Sequence, residues 1–441
     1  MRIDRITVEN FKGFERREFR FHPQVNLITG KNGSGKTSLL DALAVATGAW
    51  FLGLRGPDAR HIHQHEVRVR PIELKHAGTT GANASRVNWE EQYPCAIEAA
   101  GEVLGKPQTW KRTLNTRNGR TTFVEAKAIK QLASEADADV RAGRPVLLPL
   151  ISYYGTGRLW DVPREQARVK KARLVIQRRQ RLEGYLNSVD PRLSVARLTR
   201  WIASESWIAF QQGGAVSPVY EAVRRAILRC VDQARDLYFD PRRGEVVVEI
   251  HGQGLQPFNN LSDGQRTMLA LVGDIAQKAA TLNEEHAADV LAVTPGVVLI
   301  DELDLHLHPE WQRSIIESLR TTFPNVQFFA TTHSPFLIQS LRAGEEWLSL
   351  DGAPPAQLGN KTLEEIAHWL MGVQAPETSA RYEEMKNTAT AYLETLDKAT
   401  AAPPEKLARL EQRLAESIAP YADNPAYQAF LEMKRAAKLG R

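Results

Sequence analysis

Gly30-Lys31-Asn32-Gly33-Ser34-Gly35-Lys36-Thr37 stands between the apolar run Val25 to Ile28 and a helical pattern that begins at Thr37. Strand, glycine-rich loop and helix, with the spacing Gly-x4-Gly-Lys-Thr, form the context that a phosphate-binding loop requires. The glycines let backbone N–H groups turn inward around an anion, and the helix behind them adds the positive end of its dipole. In such a loop Lys36 reaches the β- and γ-phosphates, while the Thr37 hydroxyl holds Mg2+. The other reading is a plain glycine turn, which motif and placement together disfavour. The first expectation is therefore a nucleoside triphosphate bound with Mg2+ in an α/β fold.

Working outward, 441 residues of which 43% are hydrophobic and 25% charged supply a core for two or three subdomains. The uncharged stretch Ala42 to Leu54 is too short to span a bilayer and is broken by Gly48 and Gly53. The first residues carry Arg2, Asp4, Arg5, Glu9, Lys12 and Glu15, unlike a secretory signal. A soluble cytoplasmic protein with no membrane partner is expected. Cys95 and Cys230 are far apart and read as small core residues rather than a disulfide or zinc pair. Charge is unevenly spread: Arg158 to Arg181 holds nine basic and two acidic residues, a balance of +7 against +5 for the whole chain.

The opening, Met1 to Phe14, alternates like a strand, and Phe19 to Phe21 and Val25 to Ile28 add two more. A helix follows from Thr37 to about Trp50. In the polar segment beyond it, His61, His63 and His65 would share one face of a strand; a solvated loop is favoured over a metal site. Short alternating runs from Gln92 to Phe123 suggest a small antiparallel sheet, with Asn118-Gly119 as its hairpin signal. Helices are expected over Val124 to Ala142, on to about Phe210 after the basic segment, and over Val219 to Asp236. Val146 to Tyr154 reads as a buried strand, followed by Gly155-Thr156-Gly157-Arg158, which either faces a ligand or merely turns.

Four later stretches carry chemistry. Leu261-Ser262-Asp263-Gly264-Gln265-Arg266 opens a helix whose apolar side includes Leu269, Val272, Ile275 and Ala276, and its N-terminus suits an anion. Gly296-Val-Val-Leu-Ile-Asp301-Glu302 is a buried strand ending in two carboxylates, the first suited to Mg2+ and the second to a water-activating base. Leu303-Asp304-Leu305-His306-Leu307-His308-Pro309 runs into a helix over Glu310 to Thr321. Val326 to Thr332 is a further buried strand that delivers His333 at its end, followed by Ser334-Pro335.

In this order the motifs resemble the ABC-type ATPase heads of the structural-maintenance (SMC), Rad-type and RecF-type proteins and of the overcoming-lysogenization-defect ATPases. Asn-Phe-Lys-Gly-Phe at 10–14, the phosphate loop, Leu-Ser-Asp-Gly-Gln, Asp301-Glu302 and Thr-His-Ser-Pro carry the likeness across both ends of a head of about 350 residues. Asp-Glu-Leu-Asp-Leu-His-Leu-His-Pro-Glu-Trp and Tyr-Tyr-Gly-Thr-Gly-Arg-Leu-Trp are most similar to the ATPase subunit of the Septu antiphage system. The resemblance implies an SMC-type P-loop head with an antiparallel lobe, a mixed sheet flanked by helices, a helical insertion and a helical C-terminal tail. Residues 1–54 would form the first part of the head, 55–250 the insertion, 251–350 the second part and 351–441 the tail. It further implies that Lys36 and Thr37 bind phosphates and Mg2+, Asp301 completes the metal site and Glu302 polarises water. Ser262 and Gly264 would contact the γ-phosphate bound by a second copy, Asp304 would lie at that seam, and His333 would sense the γ-phosphate. ATP would thus join a head-to-tail dimer. Gln64 is a candidate for the family's glutamine between phosphate loop and signature.

Three functions are weighed on these grounds. The leading one is an ATPase that gates a separate HNH-type nuclease: the 108 residues after His333 read as helices (362–371, 379–398, 405–418 and 425–438) rather than as a Toprim nuclease, and this tail would either dock the partner or pack against the head itself. The alternative is a RecF-like repair ATPase that holds duplex DNA through Arg168, Lys170, Lys171, Arg173, Arg178 and Arg179. A transporter ATPase is disfavoured, since the 226 positions between Lys36 and Ser262 leave room for a large insertion.

Overall fold

The computed structural model describes residues 1–73, 87–158, 181–231, 233–342, 344–352, 361–373, 378–400, 412, 415–416 and 425–439. The basic residues from Arg168 to Arg179, and most of the helix expected over 405–418, lie outside them. Contacts divide the chain into two units, Met1–Leu363 and Glu364–Arg441.

The first unit is built on a parallel sheet. Its strands are β3 (Val25–Thr29), β8 (Leu150–Tyr154), β12 (Gly296–Ile300), β13 (Val326–Thr331) and β14 (Trp347–Ser349), in the order β14-β3-β13-β12-β8. Apart from Leu348 and Ser349, every residue of these strands is buried, as expected of apolar runs covered on both faces. Because all pairings are parallel, the carboxyl ends of β3, β12 and β13 share one edge, and the loops leaving them meet there. Helix α1 (Lys36–Thr47) follows β3 and is buried on almost every side. A helix apolar all round is an interior helix.

Behind α1 lies an antiparallel sheet of β1 (Arg2–Phe11), β2 (Phe14–Arg20), β6 (Cys95–Val103) and β7 (Lys106–Leu114), ordered β2-β1-β6-β7. Trp110 of β7, fully buried, donates its indole N–H to Ala46 O at 2.9 Å and fastens the sheet to α1. The hairpin turn falls at Leu104-Gly105 rather than at Asn118-Gly119. Val103 pairs with Lys106, so only two residues make the turn, and both take left-handed φ, 50° and 74°. Strands β4 (Val69–Glu73) and β5 (Val87–Glu91) form a separate hairpin.

Helices α2 (Lys127–Arg141), α3 (Val195–Gln211) and α4 (Pro218–Cys230) follow β7 in the chain, with β8 between α2 and α3. Helix α4 stops well short of Asp236 because the chain there joins a sheet of β9 (Ala234–Asp240), β10 (Glu245–Ile250) and β11 (Gly254–Pro257), in which Asp236 pairs with Glu249. Helix α5 (Asp263–Leu282) runs through the interior and is buried from Gly264 to Leu282 except at Arg266. The short α6 (Val290–Val293) leads to β12, α7 (Pro309–Thr322) joins β12 to β13, and α8 (Pro335–Gln339) follows β13. The three histidines are not on a strand: His63 opens a short helical turn, Gln64–Glu66, and its ring stacks on that of His65 at 5.5 Å.

In the second unit the helices Ala380–Thr400 and Pro425–Leu439 bury Tyr392 and Leu396 against Leu431, and the Tyr427 hydroxyl donates to Met385 O at 2.7 Å. Among the described residues no helix is long and apolar enough to cross a membrane.

Candidate nucleotide-binding site

The loop from Gly30 to Gly35 is shaped by its glycines. Gly33 and Gly35 have φ of 81° and 100°, which residues with a Cβ adopt only under strain, and a Cβ at Gly35 would lie 2.7 Å from the Phe14 ring. Lys31 and Asn32 are exposed beside Gly33, and Ser34 N donates to Lys31 O at 3.1 Å to tighten the turn. The Ser34 hydroxyl is buried and has no hydrogen-bond partner among the described residues. Lys36, at the first turn of α1, folds back so that Nζ donates to Gly30 O at 2.8 Å and Lys31 O at 3.2 Å. Burial pushes this ammonium's pKa down, while Asp301, Asp351, Glu302 and Asp304 pull it back up. A cation thus lies against the loop's own carbonyls, near four carboxylates.

Two of those carboxylates end β12. The Thr37 hydroxyl donates to Asp301 Oδ2 at 2.9 Å, and the Thr331 hydroxyl donates to Asp301 Oδ1 at 2.6 Å. Residues 264 and 30 positions away in sequence therefore converge on one buried carboxylate. Glu302 follows in the left-handed region, φ 48°, a conformation that costs a non-glycine residue about 1–3 kcal/mol. Its N–H donates to Thr331 Oγ1 at 2.7 Å, and its carboxylate has no hydrogen-bond partner among the described residues. Asp304 is fixed by the Thr332 hydroxyl at 2.6 Å, so the last residue of β13 and the one after it orient Asp301 and Asp304. His333 emerges exposed at the end of β13, just ahead of Ser334, whose hydroxyl caps α8.

The start of the serine-led helix packs against the loop that follows Glu302. Ser262 and Gln265 form a capping box at the start of α5, and Ser262 and Asp263 are exposed. Gly264 is buried because the backbone of the loop after Glu302 presses on it: a Cβ there would lie 2.6 Å from His306 O. Gln64, the candidate glutamine, instead donates to Glu91 of the β4–β5 hairpin.

Four participants were not legible as such. Arg158 is 1% exposed, and its guanidinium donates to the carbonyls of Gly155 (3.1 Å), Asp301 (2.8 Å) and Glu302 (3.1 Å). Burial brings its pKa down to about 10, against the opposing pull of Asp301, Glu302 and Asp304, so it stays charged at neutral pH. Tyr154 accepts the Asp301 N–H on its carbonyl at 2.8 Å and donates its hydroxyl to Asp274 of α5 at 2.7 Å. Asp351, just past β14, accepts the Lys31 N–H at 2.9 Å. Asp274 itself pairs with buried Lys278 at 2.8 Å; an oppositely charged pair four residues apart on an apolar helix face was a signal in the sequence.

Side chains at Gly33 and Gly35 would strain this loop, and the Lys36 ammonium beside a Ser34 hydroxyl with no partner among the described residues is a donor set suited to phosphate. A hydroxyl and a carboxylate oxygen 2.9 Å apart are the hard donors that Mg2+ takes while keeping most of its waters.

Residues 114–339, more than half of the chain, match the protein family described as "AAA domain, putative AbiEii toxin, Type IV TA system", and residues 5–200 match one described as "AAA domain". The chain belongs to the AAA-domain ATPases and is an ATP-binding, ATP-hydrolysing enzyme. The chain is similar to the Septu protein PtuA of Bacillus mycoides, 42% identical over 78% of this chain and 40% of that protein. The Retron Vc95 probable ATPase of Vibrio cholerae is 23% identical over 77% of this chain and 72% of that one. The DNA replication and repair protein RecF of Magnetococcus marinus is 25% identical over 62% of this chain and 78% of its own length.

Proposed function

We propose that two copies of this chain close head to tail around ATP, and that their nucleotide state governs a separate HNH-type nuclease in defence against phage. What carries the reading is a site divided in two: Lys36, Thr37, Asp301 and Glu302 converge at one sheet edge, while the Ser262 tip of α5 is exposed. The likeness to the Septu protein PtuA supports the partner and the defence role.

In this reading the loop of Gly30, Lys31, Asn32, Gly33, Ser34 and Gly35 and the ammonium of Lys36 hold the β- and γ-phosphates. Thr37 and Asp301 hold Mg2+, which when bound neutralises phosphate charge. Glu302, whose carboxylate has no hydrogen-bond partner among the described residues, accepts a proton from the attacking water, and His333 contacts the γ-phosphate. Ser262 and Gly264 of the second copy close the other side, with Asp304 at the seam. Catalysis then waits on assembly, because one copy lacks donors for the far face of the phosphate.

Size-exclusion with ATP and Mg2+ tests the assembly. The Glu302→Gln protein is expected to bind ATP and run as a dimer, and Lys36→Ala to stay a monomer; identical elution of the two would remove Glu302 from the role of base. Purification beside its genomic neighbours should recover a nuclease whose activity changes with ATP. Likeness to RecF supports a second reading, a repair ATPase on duplex DNA. Hydrolysis stimulated by duplex DNA in low salt, with no nuclease recovered, would favour that one.

A further inference from the structure

Glu302 is an unusual place to find a left-handed backbone, since its side chain has to point one way for proton transfer. Three bonds fix its two flanking peptide groups. Thr331 Oγ1 accepts its N–H, Leu305 N donates to its carbonyl at 3.0 Å, and Arg158 NH2 donates to the same carbonyl. Arg158 NH1 also bonds the carbonyl before it, that of Asp301, so one rigid guanidinium spans two successive peptide groups. A guanidinium holds such a geometry and a lysine cannot, because the donors of arginine lie in one plane at fixed angles.

The surroundings argue against a role in packing alone. Among the described residues Arg158 forms no salt bridge and its buried Nε has no hydrogen-bond partner, a costly arrangement for a side chain that only fills space. Its own backbone is pinned: Arg158 N donates to Gly155 O and Leu193 N to Arg158 O at 3.0 Å, while Gly155 N donates to Pro191 O at 2.8 Å. A Cβ on Gly155 would lie 2.8 Å from Pro191 Cβ, so the turn that presents the arginine is held by a close approach.

We infer that Arg158 is a positioning residue for ATP hydrolysis: its guanidinium clamps the Asp301–Glu302 backbone so that both carboxylates are aimed, without touching nucleotide itself. The inference rests on the reading of Glu302 as the base. Removing the clamp should leave phosphate binding, which belongs to the loop at 30–37, and slow the chemical step.

The experiment compares Arg158→Lys, Arg158→Ala and Glu302→Gln in the full chain by equilibrium binding of a fluorescent ATP analogue, steady-state hydrolysis and thermal melting. Arg158→Ala should lower kcat on the order of 10²-fold, with nucleotide affinity within about threefold, and Arg158→Lys should recover part of the rate because it can still reach one carbonyl. Equal loss of affinity and kcat, or wild-type kcat in either variant, overturns the inference. Should Arg158→Ala fail to fold, the lysine variant decides. A lysine variant that melts early yet turns over normally below its melting point, or that will not fold either, assigns the arginine to folding alone and overturns it as well. If Glu302→Gln hydrolyses normally, the assigned base is wrong; if only the Arg158 variants are normal, the clamp is.

Discussion

At the residue scale the glycine loop was readable and the arginine that bridges the Asp301 and Glu302 carbonyls was not, for one physical reason. Gly30 to Thr37 are neighbours in sequence, so their joint chemistry shows in a single stretch. Arg158 acts on residues 143 and 144 positions away, and nothing around it distinguishes a buried guanidinium from the first member of a basic run. Two changes separate binding from chemistry. Lys36→Ala removes a charged donor to phosphate, and each such bond contributes about 1.5–3 kcal/mol; nucleotide affinity measured by calorimetry should fall about 10²-fold or more. Glu302→Gln leaves those donors in place, so affinity should hold while the hydrolysis rate drops by about 10²–10⁴, the usual contribution of a general base.

At the scale of elements, strands with apolar runs on both faces were legible: β3, β12 and β13 fall where the sequence puts them, while β8 begins four residues later, at Leu150, because Pro149 precedes it. Missed were β14, only three residues long, and the β9–β11 sheet, whose outer strands β9 and β11 are largely unburied. Helix α5 was read as one-sided and is an interior helix, stitched to β8 by the Tyr154–Asp274–Lys278 group, with Lys278 also 3.4 Å from the Ser152 hydroxyl. Both charges of that pair are buried, so breaking it strands one of them: Lys278→Met should destabilise the protein by about 3–5 kcal/mol in denaturant titration. Joining it to Asp274→Leu, which removes the stranded charge, should restore much of the loss. Persistence of the full penalty in the double variant would mean that the Tyr154 hydroxyl, not the ion pair, is what the helix depends on.

At the scale of the whole molecule, the head carries its nucleotide chemistry within Met1–Leu363, and the helices of Glu364–Arg441 have a small core of their own. A chain ending at residue 363 is therefore expected to melt cooperatively and bind ATP as the full protein does. If the tail serves as the dock for a nuclease, the same truncation abolishes co-purification while ATP hydrolysis continues; loss of both would place the tail in the ATPase itself. The sheet order has a last consequence, for synthesis. The strand that bears the phosphate loop, β3, lies between β13 and β14, which follow it by about 300 residues. At about 5–20 residues per second, a growing chain on the ribosome carries a complete Gly-Lys-Thr motif for some tens of seconds before the partners of that strand emerge. Throughout that interval the nascent protein cannot form its pocket, so ribosome-bound chains arrested before residue 326 should not be retained on immobilised ATP, and chains arrested beyond residue 400 should be.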